Sequence, residues 1–245
     1  MRRLATLLII AGLPLLGSCS HMALQIDTDN TTSIMEYSDY IELRPSSSDI
    51  SSTGIIFYPG GLVDPKAYVQ SLRLISRLGY VVIILRSPVN LAILNSSQAV
   101  SVIKKYGDRA AASSPTVPDS WVAAGHSLGG TAAAILSVKK PDVFKGLIFI
   151  ASYPASSSDL SSWSASVLSV SASNDGLATP EKIDASRNLL PASTVYHVID
   201  GGNHAQFGNY GVQKDDGIPT ISPEDQWQEM SDTIAAFFFS RGWAP

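Results

Sequence analysis

The sequence predicts an α/β fold with a mostly parallel, doubly wound sheet that has helices on both faces. Short apolar runs, which suit strands buried on both faces, alternate along the chain with longer segments that suit helices. Parallel strands need long crossover connections, and these are usually helices, so the alternation favours a parallel sheet. The length of 245 residues, with 45% hydrophobic and 16% charged residues, fits one domain of this kind.

Residues 1–18 are predicted to be a signal peptide. Arg2 and Arg3 precede an uncharged, Leu/Ile-rich stretch at 4–16, which is too short for an ordinary membrane-spanning helix but suits the apolar region of a secretory signal. The stretch ends in the segment LGSC (16–19), which resembles the lipobox of bacterial lipoproteins. In that motif the cysteine is lipidated and becomes the first residue of the mature protein.

Cys19 is the only cysteine in the chain, so an internal disulfide is excluded and lipidation is its expected role. The alternative is a free cysteine in a leader that is discarded. The lipobox resemblance implies an exported protein that a lipid on Cys19 anchors to the cell envelope. Ser20, rather than Asp, follows the cysteine, which implies the outer membrane if the host is Gram-negative. Residues 19–33 are polar and are predicted to tether a domain at 34–245.

The elements of the domain follow in order. A strand is predicted at 35–43, followed by a turn at 45–48, and a second strand at 54–58 (GIIFY) ends at Pro59-Gly60-Gly61. The later strands are predicted at 81–85, 121–124, 147–151, 167–172 and 194–199. Helices are predicted at 65–78, 91–106, 128–139 and 223–241. A further helix is predicted to begin with Thr179 as its N-cap and Pro180 as its first residue.

The segment GHSLG (125–129) lies between a predicted strand and a predicted helix and matches the G-x-S-x-G nucleophile elbow. A strand that turns at once into a helix holds the serine in a strained conformation, and side chains at the glycines would collide with neighbouring backbone. The N-terminus of the helix then faces the reacting centre, where it stabilises negative charge. The pattern indicates Ser127 as a nucleophile, and the alternative is a non-catalytic elbow kept by a binding protein.

A serine hydroxyl needs a base to take its proton and an anion to orient that base. Asp175, in the segment SNDG (173–176), and His204, in the segment GGNH (201–204), each follow a predicted strand, so both are expected at the C-terminal edge of the sheet. Asp200 is the alternative acid. Of the other histidines, His126 is fixed in the elbow, and His197 lies within a predicted strand, where a structural role is expected.

The chain order Ser, Asp, His is that of the alpha/beta-hydrolase superfamily. Together with the strand rhythm, the elbow, the acid turn and the histidine loop, it makes nearly all of the mature chain resemble the compact single-domain serine esterases and dienelactone-hydrolase-like enzymes. This resemblance implies the alpha/beta-hydrolase fold and the activity of a carboxylesterase that works through an acyl-enzyme. Many relatives insert a helical cap where this chain has only the polar loop 152–165, so no substantial cap and an open active site are expected.

The resemblance also implies an oxyanion hole made of two backbone N–H groups. One is expected from Leu128 and the other from Gly61 or Leu62, in the loop after the second predicted strand. The family's usual His-Gly opening of that loop is Pro59-Gly60 here, so a side-chain hydrogen bond that often braces the loop is missing.

Composition and motifs narrow the possible partners. The net charge is −4, with no Lys/Arg cluster beyond the first residues, which disfavours nucleic acid. No metal-like Cys/His spacing and no phosphate-binding glycine loop occur, so no metal and no organic cofactor is implied. The expected partners are a small ester-type substrate and the membrane, and the oligomeric state stays open. Tyr153, Gln206 and Phe207 are candidates for lining the pocket, with loop packing as the alternative.

Two other functions remain open at this point. The same three residues could cleave a thioester, a dienelactone, an amide or a peptide. Alternatively, the chain could be a non-catalytic, surface-anchored binding protein on a hydrolase scaffold, because a fold does not settle a function.

Overall fold

A computed structural model describes residues 21–25, 30–113 and 117–245. In these residues, eight strands form one sheet in the order β1-β2-β4-β3-β5-β6-β7-β8. β2 pairs antiparallel with β1 and β4, whereas β3 to β8 run parallel. The strands are β1 (Thr32–Glu36), β2 (Tyr40–Pro45), β3 (Thr53–Tyr58), β4 (Val82–Leu85), β5 (Ser120–His126), β6 (Gly146–Ile150), β7 (Ser166–Ala172) and β8 (Val195–Ile199). The helices are α1 (Val69–Arg77), α2 (Gln98–Ser113), α3 (Leu128–Lys139), α4 (Pro180–Ala185) and α5 (Pro223–Ser240).

Helices cover both faces of the sheet, as the sequence predicts. Successive residues of β3 point to opposite faces, so Ile55 and Phe57 belong to one buried apolar cluster while Ile56 and Tyr58 belong to another. Residues of α1 and α5 pack in the first cluster, and residues of α2 and α3 pack in the second. Strands β3 to β7 are therefore buried on both sides, which explains why their sequences are largely apolar.

The single strand predicted at 35–43 is wrong. Two antiparallel strands, β1 and β2, occupy this region and pair in a register that places Glu36 opposite Ile41. A tight turn joins them, in which the N–H of Tyr37 donates to the carbonyl of Tyr40 at 2.8 Å. Ser38 and Asp39 lie within this turn, and side chains of these types favour turns over extended backbone.

Two predicted helices begin later than expected. The region 65–78 starts as a 3₁₀ helix, Pro65–Tyr68, before α1 begins. The region 91–106 begins with a short 3₁₀ helix, Ala92–Asn95, and α2 begins only at Gln98 and continues to Ser113. Just before this region, Val89 and Asn90 have φ angles of 47° and 55°, in the left-handed region that an α-helix does not contain. The helix predicted from Pro180 is present but short, and the other predicted elements agree within two residues.

Part of the segment predicted as a polar tether lies on the domain surface. His21 forms a parallel β-bridge with Val63. Its N–H donates to the carbonyl of Leu62 at 2.8 Å, and its carbonyl accepts from the N–H of Asp64 at 2.9 Å. Strand β1 begins at Thr32, before the predicted domain boundary. At these positions, within the segment that the sequence predicts as a polar tether, the backbone is bonded to the domain.

Two further observations bear on the predicted organisation. The predicted signal peptide, Cys19 and Ser20 lie outside the described residues. Among the helices that the structure describes, none is both long and apolar enough to cross a membrane. The connection from β6 to β7 at 151–165 contains no helix, so no helical cap is inserted there.

Candidate active site

Ser127 occupies the sharp turn between β5 and α3. Its backbone has φ 52° and ψ −127°, a region that residues other than glycine rarely adopt. Two hydrogen bonds hold this conformation: the N–H of Ser127 donates to the carbonyl of Ile150 at 3.0 Å, and its carbonyl accepts from Ser152 Oγ at 2.5 Å. Both partners belong to β6 or the residues just after it, so the neighbouring strand fixes the strained serine.

Backbone contacts around this turn require Gly125 and Gly129. A Cβ at Gly125 would lie 2.5 Å from the carbonyl carbon of Gly129. A Cβ at Gly129 would lie 2.1 Å from the carbonyl oxygen of Tyr58. The backbone cannot yield to such contacts, so the two glycines of the motif have the steric role that the elbow pattern predicts.

His204 and Asp175 form a buried hydrogen-bonded pair at the C-terminal edge of the sheet. His204 Nδ1 lies 2.8 Å from Asp175 Oδ2, and the two side chains are 1% and 0% exposed. Asp175 Oδ1 accepts from the N–H groups of Leu177 at 2.8 Å and Ala178 at 2.7 Å. Because a carboxylate only accepts, His204 Nδ1 carries the proton and Nε2 presents its lone pair.

The lone pair of His204 Nε2 is directed into the site. This atom is buried and has no hydrogen-bond partner among the described residues. Ser127 and His204 line one cavity of about 200 Å³. The other residues that line it are Leu128, Thr131, Ala151, Ser152, Tyr153, Leu177 and Ala178. The Ser127–His204 hydrogen bond is not formed in this structure, and catalytic hydrogen bonds often tighten only when substrate binds.

The alternative acid and the other strand histidine have different partners. Asp200 Oδ1 accepts from Ser173 Oγ at 3.1 Å, so the structure favours Asp175 over Asp200 as the partner of His204. His197 Nε2 lies 2.8 Å from Glu229 Oε1, between β8 and α5. His197 thus has the structural role expected of it.

The loop after β3 lies beside the start of α3, where the sequence places the oxyanion hole. A Cβ at Gly61 would be 3.0 Å from Leu128 Cδ2. The N–H of Leu62 already donates to the carbonyl of Asn90 at 2.8 Å, so Leu62 is excluded as an oxyanion donor. The N–H groups of Gly61 and Leu128 find no acceptor in the part of the chain that the structure describes. Of the two predicted candidates in this loop, Gly61 remains.

A family model for the alpha/beta hydrolase family matches residues 54–228, which is more than half of the chain. The chain belongs to the alpha/beta hydrolase family. A search of curated protein sequences finds no match.

Solved structures of hydrolases share this fold. A predicted CIB-like hydrolase from Thermoplasma acidophilum is 15% identical, with a TM-score of 0.58 over 83% of this chain and 98% of that chain. An alpha/beta hydrolase enzyme from the metagenome of sediments of the Mar Chica lagoon, Morocco, is 16% identical, with a TM-score of 0.60 over 86% of this chain and 99% of that chain. At these identities the likeness extends to the fold alone.

In this hydrolase the hydroxyl of Tyr68 forms a side-chain hydrogen bond to the loop after β3, in place of the bond that the Pro59-Gly60 opening lacks. The N–H of Gly60 donates to Tyr68 Oη at 3.0 Å, and Tyr68 Oη lies 2.8 Å from His126 Nδ1. Burial raises the pKa of Tyr68, so its hydroxyl stays protonated. Sequence reasoning missed Tyr68, because it stands in a 3₁₀ helix outside every motif.

Asp216 is a second residue of the hydrolase site that sequence reasoning missed. Its Oδ1 accepts from the N–H groups of Gly176 at 3.1 Å and His204 at 3.2 Å, and its Oδ2 accepts from the N–H of Ala205 at 2.8 Å. Asp216 thus ties the loop of Asp175 to the loop of His204. Its segment, KDDG (214–217), reads as an ordinary surface turn, so no local signal could have found it.

The three residues considered for pocket lining separate into two groups. Tyr153 lines the cavity beside Ser127. Gln206 and Phe207 do not line it: Gln206 Nε2 donates to the carbonyl of Ile221 at 3.1 Å, and Phe207 packs against the ring of His126. In the described ranges, no group of three or more His, Cys, Asp or Glu side chains is placed to hold a metal ion.

Proposed function

We propose that this protein is a serine hydrolase that cleaves carboxylic esters through an acyl-enzyme on Ser127. The observation that carries the proposal is the buried His204–Asp175 pair, whose unpartnered Nε2 shares a cavity with Ser127. An orphaned lone pair in a buried site is costly, and it is suited to accept the proton of a serine hydroxyl. A purely structural histidine would have both nitrogens satisfied.

The proposed reaction follows from these positions. Ser127 Oγ attacks the ester carbonyl carbon while its proton passes to His204 Nε2. Asp175 holds the imidazole in the required tautomer and stabilises its cation. The N–H groups of Gly61 and Leu128 stabilise the negative charge on the carbonyl oxygen. The alcohol leaves with the proton from His204, and water then repeats the sequence to release the acid.

The size of the cavity supports a small acyl group. Its volume of about 200 Å³ is below the range of roughly 300–1,000 Å³ that is usual for drug-sized ligands. Tyr153 and Leu177 line it, and no helical cap extends it. A compact site of this kind is in keeping with the small-ester and dienelactone-hydrolase-like branch that the sequence resembles.

Thioesters, dienelactones, amides and peptides are the alternative substrates for the same three residues. A non-catalytic binding protein is the alternative of another class. The geometry disfavours that alternative, because a binding role makes no joint demand on a strained serine, an unpartnered imidazole nitrogen and a buried carboxylate.

A fluorophosphonate, which reacts with activated serines, tests the proposal. We expect one adduct, at Ser127 by peptide mapping, and its loss in Ser127→Ala and His204→Ala. Hydrolysis of short-chain esters should fall by at least a thousandfold in Ser127→Ala, because the residual rate comes from binding and the oxyanion hole alone. Circular dichroism controls for folding, and a panel of ester, thioester and amide substrates identifies the bond. Undiminished hydrolysis by Ser127→Ala would overturn the assignment.

We further propose that the protein is exported and lipid-anchored through Cys19, on the strength of the leader and the LGSC segment (16–19). The expected result is a membrane-bound protein that incorporates labelled palmitate. Cys19→Ser should remove the label and prevent maturation at this site. Unchanged labelling of Cys19→Ser would contradict the proposal, and Thr28→Ser, which lies outside the LGSC segment, provides a control that leaves the cysteine and its motif in place.

A further inference from the structure

The loop after β3, residues 59–62, is called the oxyanion loop below. A buried chain of hydrogen bonds runs from this loop to the backbone of His204 through two side chains, Tyr68 and His126. The N–H of Gly60 lies 3.0 Å from Tyr68 Oη, which lies 2.8 Å from His126 Nδ1. His126 Nε2 lies 3.2 Å from the carbonyl oxygen of His204. Tyr68 is 0% and His126 1% exposed, so water does not compete for these bonds. We call this the Tyr68–His126 chain.

The partners fix the direction of every bond in the chain. The carbonyl of His204 can only accept, so His126 Nε2 carries the proton. In the neutral imidazole Nδ1 then has a lone pair, which accepts the hydroxyl proton of Tyr68. The oxygen of Tyr68 in turn accepts from the N–H of Gly60. Burial and the nearby His204 hold the pKa of His126 well below its usual value, which keeps the imidazole neutral.

The chain is packed tightly at both ends. A Cβ at Gly60 would be 2.8 Å from Tyr68 Oη and 2.9 Å from His126 Nδ1, so only a glycine backbone can approach the chain this closely. At the other end, the rings of His126 and His204 have centroids 4.5 Å apart. A shift of either loop is therefore resisted by contact as well as by hydrogen bonds.

We propose that Tyr68 and His126 are positioning residues for hydrolysis: they hold the Gly60–Gly61 peptide and the main chain of His204 in one fixed relation. The same buried chain thereby fixes the positions of the Gly61 N–H, which is the proposed oxyanion donor, and of His204, which is the proposed proton acceptor. Neither side chain lines the cavity with Ser127, so their effect falls on the geometry of the reacting groups rather than on substrate binding. This inference rests on the proposed function.

The variant Tyr68→Phe removes one oxygen and leaves both its neighbours in the chain unpaired. We expect kcat for a short-chain ester to fall roughly 10- to 100-fold with KM changed less than about threefold, because small displacements of reacting groups cost rate rather than affinity. The rate of fluorophosphonate labelling should fall in parallel with kcat.

Tyr106→Phe is the matched control. Tyr106 is also buried, and its hydroxyl accepts from Arg44 Nη1 at 2.9 Å, but it lies in α2, which contributes no residue to the cavity. Both variants remove one buried tyrosine hydroxyl, which has two hydrogen bonds in Tyr68 and the bond from Arg44 in Tyr106, so urea denaturation of both separates a loss of stability from a loss of rate. We expect Tyr106→Phe to keep kcat within about twofold of the wild type, as expected for a site outside the machinery.

A second measurement needs no variant. Nitrogen-15 NMR of the wild-type protein should show His126 protonated at Nε2 and unprotonated at Nδ1 at neutral pH. Equal kcat and labelling rates for the two tyrosine variants would overturn the inference, and so would a proton on Nδ1 of His126. A wild-type protein that never labels would instead overturn the proposed function, and this inference with it, even where the NMR result agrees.

Discussion

The imidazole of His126 illustrates how the surroundings of one residue set its protonation. Its titratable neighbours are His204, whose ring centroid is 4.5 Å away, and Tyr68, whose hydroxyl is 2.8 Å from Nδ1. Burial lowers the pKa of His126 well below 6.5, and repulsion from His204 adds to the effect. A proton on Nδ1 would also displace the hydrogen that Tyr68 donates, so the folded site favours the neutral imidazole of His126.

This lowered pKa predicts how stability depends on pH. As the pH falls, His126 takes up a proton in the unfolded state before it does so in the folded state. The neutral His126 therefore contributes fully to the free energy of unfolding above pH 6.5, and this contribution is lost as the pH falls below 6.5. The free energy of unfolding should fall by up to about 1.4 kcal/mol per pH unit. His126→Asn has no such group, so the difference in unfolding free energy between wild type and variant should narrow from pH 7 to pH 5. Urea denaturation across this range measures it, and a constant difference would contradict the prediction.

At the scale of elements, the site depends on how three loops meet. Asp175 follows β7 and His204 follows β8, and the loop that contains Asp216 packs against both. A Cβ at Gly176 would be 2.3 Å from the carbonyl oxygen of Asp215, and a Cβ at Gly217 would be 1.8 Å from that of Asn174. The backbones are thus in direct contact, and the carboxylate of Asp216 joins them.

Removing that carboxylate should weaken both the fold and the reaction. Asp216 accepts four backbone N–H bonds, from Gly176, His204, Ala205 and Gly217. We expect Asp216→Ala to lose about 2–3 kcal/mol of unfolding free energy, because bonds to a charged acceptor are strong but this residue is partly solvated. The value of kcat should fall at least about tenfold, since the orientation of His204 depends on these bonds.

Asp184→Ala is the control for this experiment. Asp184 pairs with Arg187 at 2.8 Å on the surface, with both side chains at least half exposed. Exposed pairs of this kind contribute about 0–1 kcal/mol. Urea denaturation and an ester assay compare the two variants, and equal losses of stability and activity would show that Asp216 has no special role.

Several of the elements that the sequence predicts correctly are strands whose environment is set by burial. Strands β3 to β7 are buried on both faces, so their apolar runs mark them directly. The residues around Val89 and Asn90 could not be predicted, because their left-handed backbone goes with a contact to a distant loop, the bond from Leu62 N–H to Asn90. A local sequence pattern does not predict a contact between residues so far apart in the chain.

The whole molecule brings the site together because β3 to β8 are parallel. All loops after these strands emerge at one edge of the sheet, so Ser127, Asp175 and His204 could be predicted from their positions directly after strands. Tyr68 and Asp216 could not be predicted in this way. Each forms hydrogen bonds to segments that are distant in the sequence and come together only in the folded protein. The choice between Gly61 and Leu62 depended on the same kind of bond.

The β-bridge between His21 and Val63 has a consequence for the orientation of the whole protein. It fixes the chain at His21 directly beside the oxyanion loop. Cys19 stands two residues earlier, and two residues of extended chain span at most about 7 Å. The lipid that we propose on Cys19 would therefore hold the edge of the sheet that carries Ser127 toward the bilayer.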